Sequence, residues 1–185
     1  MPTIPSHGLV VRALRRTDGA ALRALYARNL AHLAAFLPAP PEEPGGDRWL
    51  RAELAQRAAG TRYPYVVVDR GAIVGTIALY DVSQGDARQA DISFWIDADA
   101  RGRGLATAAV TRLRHIAGVA IGLHRLVGAT QLTNGAAQRV LEKNRFVLIG
   151  RAREYRYIAG RWHDHLLFER LLRNEPPPEP AAPSA

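Results

Sequence analysis

The sequence contains no cysteine, a single lysine and no long run of apolar residues. Without cysteine there is no disulfide, no thiolate metal ligand and no cysteine nucleophile. The longest apolar segments, such as 33–37 and 72–78, are far shorter than the ~20 residues that a membrane-spanning helix needs. No charged and then apolar leader opens the chain. We therefore expect a soluble cytoplasmic protein without a membrane partner, as a monomer or homodimer.

The apolar content is sufficient for one domain. The chain has 185 residues, of which 48% are hydrophobic, and a typical domain takes about 100–200 residues. We predict a single domain over residues 1–173. Residues 174–185 hold five prolines and two glutamates with no apolar periodicity, which predicts a disordered, proline-rich tail.

The net charge of +8 comes almost wholly from arginine and is unevenly distributed. Between Arg101 and Arg161 there are twelve basic residues and only two acidic ones. Codon usage can raise the arginine content of a chain, but it does not explain this placement. We therefore expect an anionic ligand to bind to the second half of the chain.

Apolar periodicity predicts the element order β-α-α-β-β-β-α-β-α-β-β, which indicates a mixed α/β sheet. Strands are expected near 9–13, 65–68, 73–82, 90–97, 125–131, 147–157 and 164–171. The first helix is expected to be capped by Thr17-Asp18 and to carry its apolar face on Leu22, Leu25, Leu30, Leu33 and Phe36. Further helices are expected near 47–59, 105–121 and 135–144.

The segment between the fourth strand and the third helix, residues 97–107, reads DADARGRGLAT. Gly102 and Gly104 allow backbone N–H groups to turn towards a ligand without interference from a Cβ atom. The helix N-terminus adds unpaired donors and the positive end of a dipole, and Arg101 and Arg103 add charge. This order of strand, glycine loop and helix predicts a phosphate-binding site.

The same glycine pattern occurs earlier, at residues 16–21, also between a predicted strand and a predicted helix. That copy contains Asp18, whose carboxylate would cap free N–H groups and repel a phosphate. The segment 102–107 contains no acid. We therefore interpret the first copy as structural and the second as a binding loop.

A second motif follows the strand at 125–131, where Asn134 begins the sequence NGAAQRVLEKNRF. An asparagine at the end of a strand can simply cap the next helix. Because it follows the glycine loop in this order and spacing, we also consider Asn134 a ligand contact.

With these two motifs, the segment Ala90 to Phe146 resembles the GNAT superfamily of acyl-CoA-dependent N-acyltransferases, in particular the RimJ/RimL type of ribosomal-protein N-terminal acetyltransferase. A weaker likeness extends from Leu9 to about Leu172. The resemblance implies the GNAT fold, a single mixed and mostly antiparallel sheet of about seven strands, flanked by helices and splayed between the fourth and fifth strands. It also implies direct transfer of an acetyl group from acetyl-CoA to a primary amine, foremost a peptide or protein N-terminal α-amine, without a metal.

The resemblance and the loop chemistry together give the expected cofactor contacts. They are Phe94, Trp95, Ile96, Arg101, Gly102, Arg103, Gly104, Leu105, Ala106, Thr107, Asn134, Arg139 and Lys143. Backbone amides of the strand segment 93–97 are expected to polarise the thioester carbonyl as it becomes tetrahedral. CoA carries about four negative charges, which suits the basic half of the chain.

The catalytic candidates are Asp91, Asn134 and Tyr155, with Asp91 as the first choice of general base. Glu154, Tyr155 and Tyr157 on the late strands are the alternatives for that base, and a water relay could replace any of them. Family members often carry a serine or a tyrosine to protonate the leaving thiolate. This chain has Ala137 and Leu141 at those places, so the resemblance assigns no acid.

Other functions remain open at this stage. The acceptor could be a small-molecule amine or an aminoacyl-tRNA amine, or the fold could be a CoA-binding regulatory module without turnover. Direct RNA binding is disfavoured because the aromatic spacing for stacking on bases is not evident. His163 and His165 share one face of a strand, but only Asp164 lies close and it points the other way, so we predict no metal site.

Overall fold

The computed structural model describes residues 8–39 and 42–172, and its elements follow the predicted order. The strands are β1 (Leu9–Ala13), β2 (Tyr63–Asp69), β3 (Ala72–Ser83), β4 (Gln89–Ile96), β5 (Arg125–Gln131), β6 (Val147–Ile158) and β7 (Arg161–Leu171). The helices are α1 (Gly19–Ala34), α2 (Asp47–Ala58), α3 (Leu105–His115) and α4 (Gly135–Lys143). The predicted tail at 174–185 lies outside the described residues.

All seven strands form one sheet in the order β1-β2-β3-β4-β5-β7-β6. The β4–β5 pair is parallel, and every other pair is antiparallel. Pairing of β4 with β5 ends at Ile92 and Gly128, although β4 continues to Ile96 and β5 to Gln131. The two strands therefore separate at their carboxyl ends, which confirms the expected splay.

Helices cover both faces of the sheet, and each face has its own apolar core. On one face, α1 and α2 pack against the sheet through a cluster that includes Leu22, Leu25, Leu50 and Trp95. On the other face, α3 and α4 pack through a larger cluster with Val110, Leu113, Leu126 and Leu141 at its centre. None of the helices in the described part of the chain has the length and apolar character to cross a bilayer.

The apolar face of α1 differs from the prediction at two positions. Leu30 is 61% exposed, because the buried stripe runs through Leu25, Asn29 and Leu33 instead. Asn29 occupies the buried position since its side chain is fully hydrogen-bonded there. The helix also ends at Ala34, so Phe36 lies in the turn that follows it.

The predicted helix at 105–121 is also shorter than expected. Regular α-helix ends at His115, and a π-helical turn continues over Ile116–Ile121 until Gly122 adopts a φ of 80°. Gly118 and Val119 are weak helix formers within this stretch. The turn brings the chain back to the start of β5.

The side chain of Asn144, just after α4, joins α4 to the first turn of α3. Asn144 is 1% exposed, and its amide donates to the carbonyl oxygens of Thr107 and Val140 at 3.1 and 3.0 Å. Its oxygen accepts from the Thr111 hydroxyl at 2.8 Å. This clamp fixes the position of the α3 N-terminus relative to α4.

Replacing Asn144 by alanine should lower the free energy of unfolding by about 1–3 kcal/mol, because buried hydrogen-bonding groups lose their partners. Urea denaturation at neutral pH measures the change. Glu142→Gln, an exposed neighbour on the same helix, serves as the control and should leave stability within about 0.5 kcal/mol. Equal stability of the Asn144→Ala and control variants would contradict the clamp.

Candidate functional site

A cavity of about 220 Å³ lies where β4 and β5 separate. Its walls come from β3, β4, β5, β6, β7, α4 and the turn after α1. The lining residues are Phe36, Leu37, Pro38, Arg62, Tyr80, Ile92, Ser93, Phe94, Gly128, Ala129, Thr130, Gln131, Asn134, Ala137, Leu141, Arg156 and His165. Of the predicted site residues, the cavity brings together Phe94 and Asn134.

One edge of β4 is open beside this cavity. The Asp97 N–H donates to the Val74 carbonyl at 2.8 Å, which directs that amide towards β3. Amides alternate in direction along a strand, so the N–H groups of Phe94 and Ile96 point to the opposite edge. Beyond Ile92 no β5 residue pairs with that edge. Two separate backbone donors, two residues apart along the strand, are thus available to acceptors in the cleft.

The predicted β4 contacts differ in where their side chains lie. Phe94 lines the cavity, whereas Ile96 packs in the α3 core. Trp95 is on the opposite face, where its ring packs edge-on against Tyr26 at a centroid distance of 4.9 Å. The Trp95 N–H points towards β3, in the same direction as that of Asp97, so neither the ring nor the N–H of Trp95 faces the cleft.

The loop after β4 has the conformation that its glycines predict. Gly102 and Gly104 have φ values of 73° and 74°, in the left-handed region that glycine adopts without strain. A Cβ atom on either glycine would meet nothing within 4 Å, so the space in front of the loop is open. The first bond within α3 runs from the Ala108 N–H to the Gly104 carbonyl at 3.0 Å. The amides of residues 105–107 therefore have no acceptor in the helix and can bind an anion.

Asp97 holds the start of this loop against α1. Its carboxylate is 5% exposed and accepts hydrogen bonds from Arg28 at 2.5 and 2.9 Å and from Asn29 at 3.0 Å. The oxygen of Asn29 in turn accepts from the Ala98 N–H at 2.9 Å. Burial acts to raise the pKa of Asp97, but the bonds from Arg28, Asn29 and the Asp99 N–H outweigh it, so the pKa lies below its ordinary value.

The two loop arginines are in different electrostatic situations. Arg103 donates to the buried carboxylate of Asp69, at the end of β2, with a separation of 2.6 Å. Arg101 is exposed and forms no ion pair within the described residues. Both arginines were expected to add positive potential at the loop. Arg101 does so, but Asp69 offsets the charge of Arg103.

The earlier glycine pattern at 16–21 is structural, as predicted. Its Asp18 carboxylate accepts from the Arg12 guanidinium at 2.7 and 2.8 Å and from the Arg15 N–H at 2.9 Å. These bonds cap a short 3₁₀ turn, Arg16–Asp18, rather than α1 itself, which corrects the predicted cap. An acid already fills the place that an anion would need.

Asn134 does cap α4, since its side-chain oxygen accepts from the Ala137 N–H at 3.1 Å. Its amide group remains available to the cavity that it lines. Arg139 and Lys143 are exposed along α4. Leu141 is fully buried and packs so closely on β5 that a Cβ atom on Gly128 would lie 3.1 Å from a Leu141 methyl group.

The far side of the cavity contains polar groups that sequence reasoning did not select. Arg156 donates to the Tyr80 hydroxyl at 2.9 Å, and its guanidinium also lies over the Tyr155 ring at 5.3 Å. Burial raises the pKa of Tyr80, so its hydroxyl stays protonated at neutral pH. Arg62 is paired with the buried Glu53 at 2.8 Å. Nothing in the sequence links these residues, because strands distant in the chain bring them together.

The predicted catalytic residues Asp91 and Tyr155 are not part of the cavity wall. Asp91 is half-buried on β4 opposite Tyr80 of β3. Burial raises the pKa of Asp91, the nearby Asp81 adds to the effect, and Arg156 and Tyr80 oppose it. Tyr155 is 37% exposed and packs on the ring of His165 with a centroid distance of 5.4 Å.

His165 lines the cavity, although the sequence analysis considered it only as a metal ligand. It is 2% exposed, and burial lowers its pKa. Within residues 8–39 and 42–172, no group of three His, Asp or Glu side chains is arranged to hold a metal ion.

Comparisons with known proteins agree with the resemblance. A family model described as "Acetyltransferase (GNAT) domain" matches residues 8–147. The putative ribosomal N-acetyltransferase YdaF of Bacillus subtilis (strain 168) is 28% identical over 177 residues, which cover 90% of this chain and 92% of the relative.

Two solved structures of similar fold are at least 25% identical to this chain. The ribosomal-protein-S5-alanine acetyltransferase from Vibrio fischeri has a TM-score of 0.86 and 25% identity, with 92% of this chain and 97% of that chain covered. Mycobacterium smegmatis RimJ, in complex with CoA-disulfide, has a TM-score of 0.81 and 27% identity, with coverages of 88% and 81%.

The Asp97 network predicts a pH-dependent contribution to stability. A carboxyl group whose folded pKa is depressed stabilises the fold above its unfolded pKa of ~3.9, and this contribution is lost as the pH falls through the folded value. Asp97→Asn should cost about 1–2 kcal/mol at pH 7, a range that allows for the half-exposed Arg28. The cost should begin to shrink below about pH 4, where Asp97 takes up a proton in the unfolded chain before it does so in the folded one.

Urea denaturation between pH 3 and pH 7 measures this difference. Asp99→Asn, two residues along the same loop, removes an exposed acid and is the control. A cost for Asp97→Asn that does not change with pH, or one equal to that of the control, would refute the ion-pair account.

Proposed function

The chain belongs to the GNAT acetyltransferase family, and from this premise we propose that it acetylates the N-terminal α-amine of a protein or peptide. The acetyl donor is acetyl-CoA, and transfer is direct, within a ternary complex. The observation that carries this proposal is the open edge of β4, which leads from the cavity to the glycine loop and the free amides of α3.

The glycine loop fits the diphosphate of CoA. The amides of residues 105–107 have no acceptor within α3, and the space before Gly102 and Gly104 is open. We propose that these amides bind the diphosphate, with Arg101, Arg139 and Lys143 supplying charge. When bound, acetyl-CoA supplies an acetyl group activated as a thioester.

The cleft fits the reacting carbonyl. We propose that the N–H group of Phe94 or of Ile96 donates to the thioester oxygen as it gains negative charge, which lowers the barrier to attack by an amine, and that the other N–H group meets a second acceptor of the cofactor. Ile92, Ala137 and Leu141 give the cavity an apolar wall that would surround the acetyl group. The free amide of Asn134 is proposed as a further contact for the cofactor.

An α-amine suits the basic groups that lie near the cavity. An N-terminal amine has a pKa of about 7.7–8.0, against about 10.4 for a lysine side chain, so it needs a much weaker base. Asp91 and Tyr155 remain candidates for that base, directly or through water. The Vibrio fischeri relative is named for an alanine of ribosomal protein S5, and YdaF is named as a putative ribosomal N-acetyltransferase. We therefore propose a ribosomal protein N-terminus as the acceptor.

The acceptor class can be tested with acetyl-CoA and a panel of amines. The panel contains peptides with free N-termini, N-blocked peptides with one lysine, small amines and an aminoacyl-tRNA. Free thiol release and product mass report transfer. We expect turnover with the free N-termini and little with the lysine peptides. Turnover with small amines alone or with aminoacyl-tRNA alone would show that the proposed acceptor is wrong. Tight binding of acetyl-CoA without any turnover would indicate a regulatory module.

The loop assignment is tested by Gly104→Glu, which puts a carboxylate at the proposed diphosphate site. Acetyl-CoA affinity, measured by calorimetry, should fall by at least tenfold because of charge repulsion and a blocked approach. Gly160→Glu is the matched control, because Gly160 also has a positive φ of 83° and open space around it, in the β6–β7 turn. Equal affinity of the two variants, with both folded by circular dichroism, would place the diphosphate elsewhere.

A further inference from the structure

A buried histidine faces the same cavity as the open edge of β4. His165 lies on β7, between Gln131 of β5 and Ala152 of β6 in the strand register. It is 2% exposed and is one of the residues that line the cavity, together with Ser93 and Phe94 of β4. His165 therefore shares a cavity with the strand that carries the proposed thioester-binding amide.

Hydrogen bonding sets the tautomer of this ring. The Nδ1 atom lies 3.0 Å from the carbonyl oxygen of His163. A carbonyl oxygen only accepts, so Nδ1 carries the proton of the neutral ring and Nε2 carries a lone pair. Among the described residues, no side chain or backbone group forms a hydrogen bond with Nε2. The basic atom of the ring is thus left for a ligand.

The surroundings of His165 keep the ring neutral at pH 7. Burial is the largest effect and lowers its pKa, the His163 carbonyl opposes it, and the positive charge of Arg156 lowers the pKa further. Gln131, its neighbour on β5, is uncharged. The other titratable and charged groups that face the ring or share its cavity are Tyr155, His163, Asp164, Tyr80 and Arg62.

We propose that Nε2 of His165 is the general base that takes the proton from the acceptor nitrogen during acetyl transfer. This assignment rests on the proposed function. The amine reaches the cleft after losing one proton to solvent, and its lone pair forms the N–C bond to the thioester carbon. The C–S bond then breaks with its electron pair on sulfur, Nε2 takes the remaining ammonium proton, and the thiolate takes a proton from His165 or solvent. One proton is released overall.

His165 is a better-placed base than Asp91. Both can accept a proton, but only His165 belongs to the wall of the cavity. Asp91 is on β4, opposite Tyr80 of β3, and the charges of Asp81 and Arg156 affect its pKa.

The test uses His165→Asn, because the asparagine amide can still donate to the His163 carbonyl while it offers no base. With acetyl-CoA and an N-terminal peptide, we expect kcat/KM to fall on the order of 10²–10⁴-fold, with the KM for acetyl-CoA little changed. Every variant should lose kcat/KM below the amine pKa of about 7.7–8.0, because only the neutral amine attacks. In the unmodified enzyme a second and steeper decline, the acid limb, should begin at a pH below the ordinary histidine value of ~6.5. This acid limb should be absent from the His165→Asn profile.

His163→Asn, two residues away on the same strand, is the matched control and should keep both the rate and the acid limb. Asp91→Asn completes the comparison. If Asp91→Asn removes the acid limb and His165→Asn keeps it, Asp91 is the base and the proposal fails. Near-unmodified activity of His165→Asn overturns the base assignment but leaves the proposed acetyl transfer standing.

A measurement on the unmodified protein covers the case in which His165→Asn does not fold. Long-range proton–nitrogen NMR of the imidazoles reports protonation and tautomer. We expect one ring that is neutral and protonated at Nδ1 at pH 7 and that titrates at the pH of the acid limb. A charged ring, or one protonated at Nε2, would refute the assignment. An enzyme that acetylates no amine in the panel would refute the proposed function and this assignment together.

Discussion

The separation of β4 from β5 is the constraint on which the site depends. Parallel pairing satisfies both strand edges as far as Ile92 and Gly128, and beyond that point each strand has one unpaired edge. Unpaired backbone donors near a sheet interior are costly unless a ligand or water meets them. The splay therefore creates both the cavity and its chemistry, since the amides of Phe94 and Ile96 need an acceptor that the protein does not supply.

Two polar clusters hold this opening in shape. Asp97, with Arg28 and Asn29, ties the end of β4 to α1. Asn144 ties α3 to α4 on the other face. Both clusters bury charged or polar side chains with their partners present, which makes each geometry specific as well as stable. The glycine loop lies between them and can stay open because its two ends are fixed.

Much of the fold and the loop side of the candidate site could be predicted from the sequence, because those parts are local. Strand and helix periodicity, the loop with Gly102 and Gly104, and Asn134 at a strand end are all readable within a few residues of the chain. Asp18 in the earlier glycine pattern was enough to predict that this turn is capped by its own side chain, whereas the loop with Gly102 and Gly104 is open. The error at Leu30 arose because a buried polar residue, Asn29, took the place that periodicity reserves for an apolar one.

The acceptor side could not be predicted, because it depends on contacts between distant segments. Arg156 meets Tyr80 across 76 positions, and His165 becomes a base only because a backbone carbonyl fixes its tautomer and burial removes its charge. Charge counting has the same weakness, since Asp69 on β2 offsets Arg103 in a segment that looks free of acid. The amino-acid sequence gives only the number of charged residues in a segment. A ligand meets only the charges left unpaired after folding. Among the described residues these include Arg101 at the loop and Arg156 in the cavity.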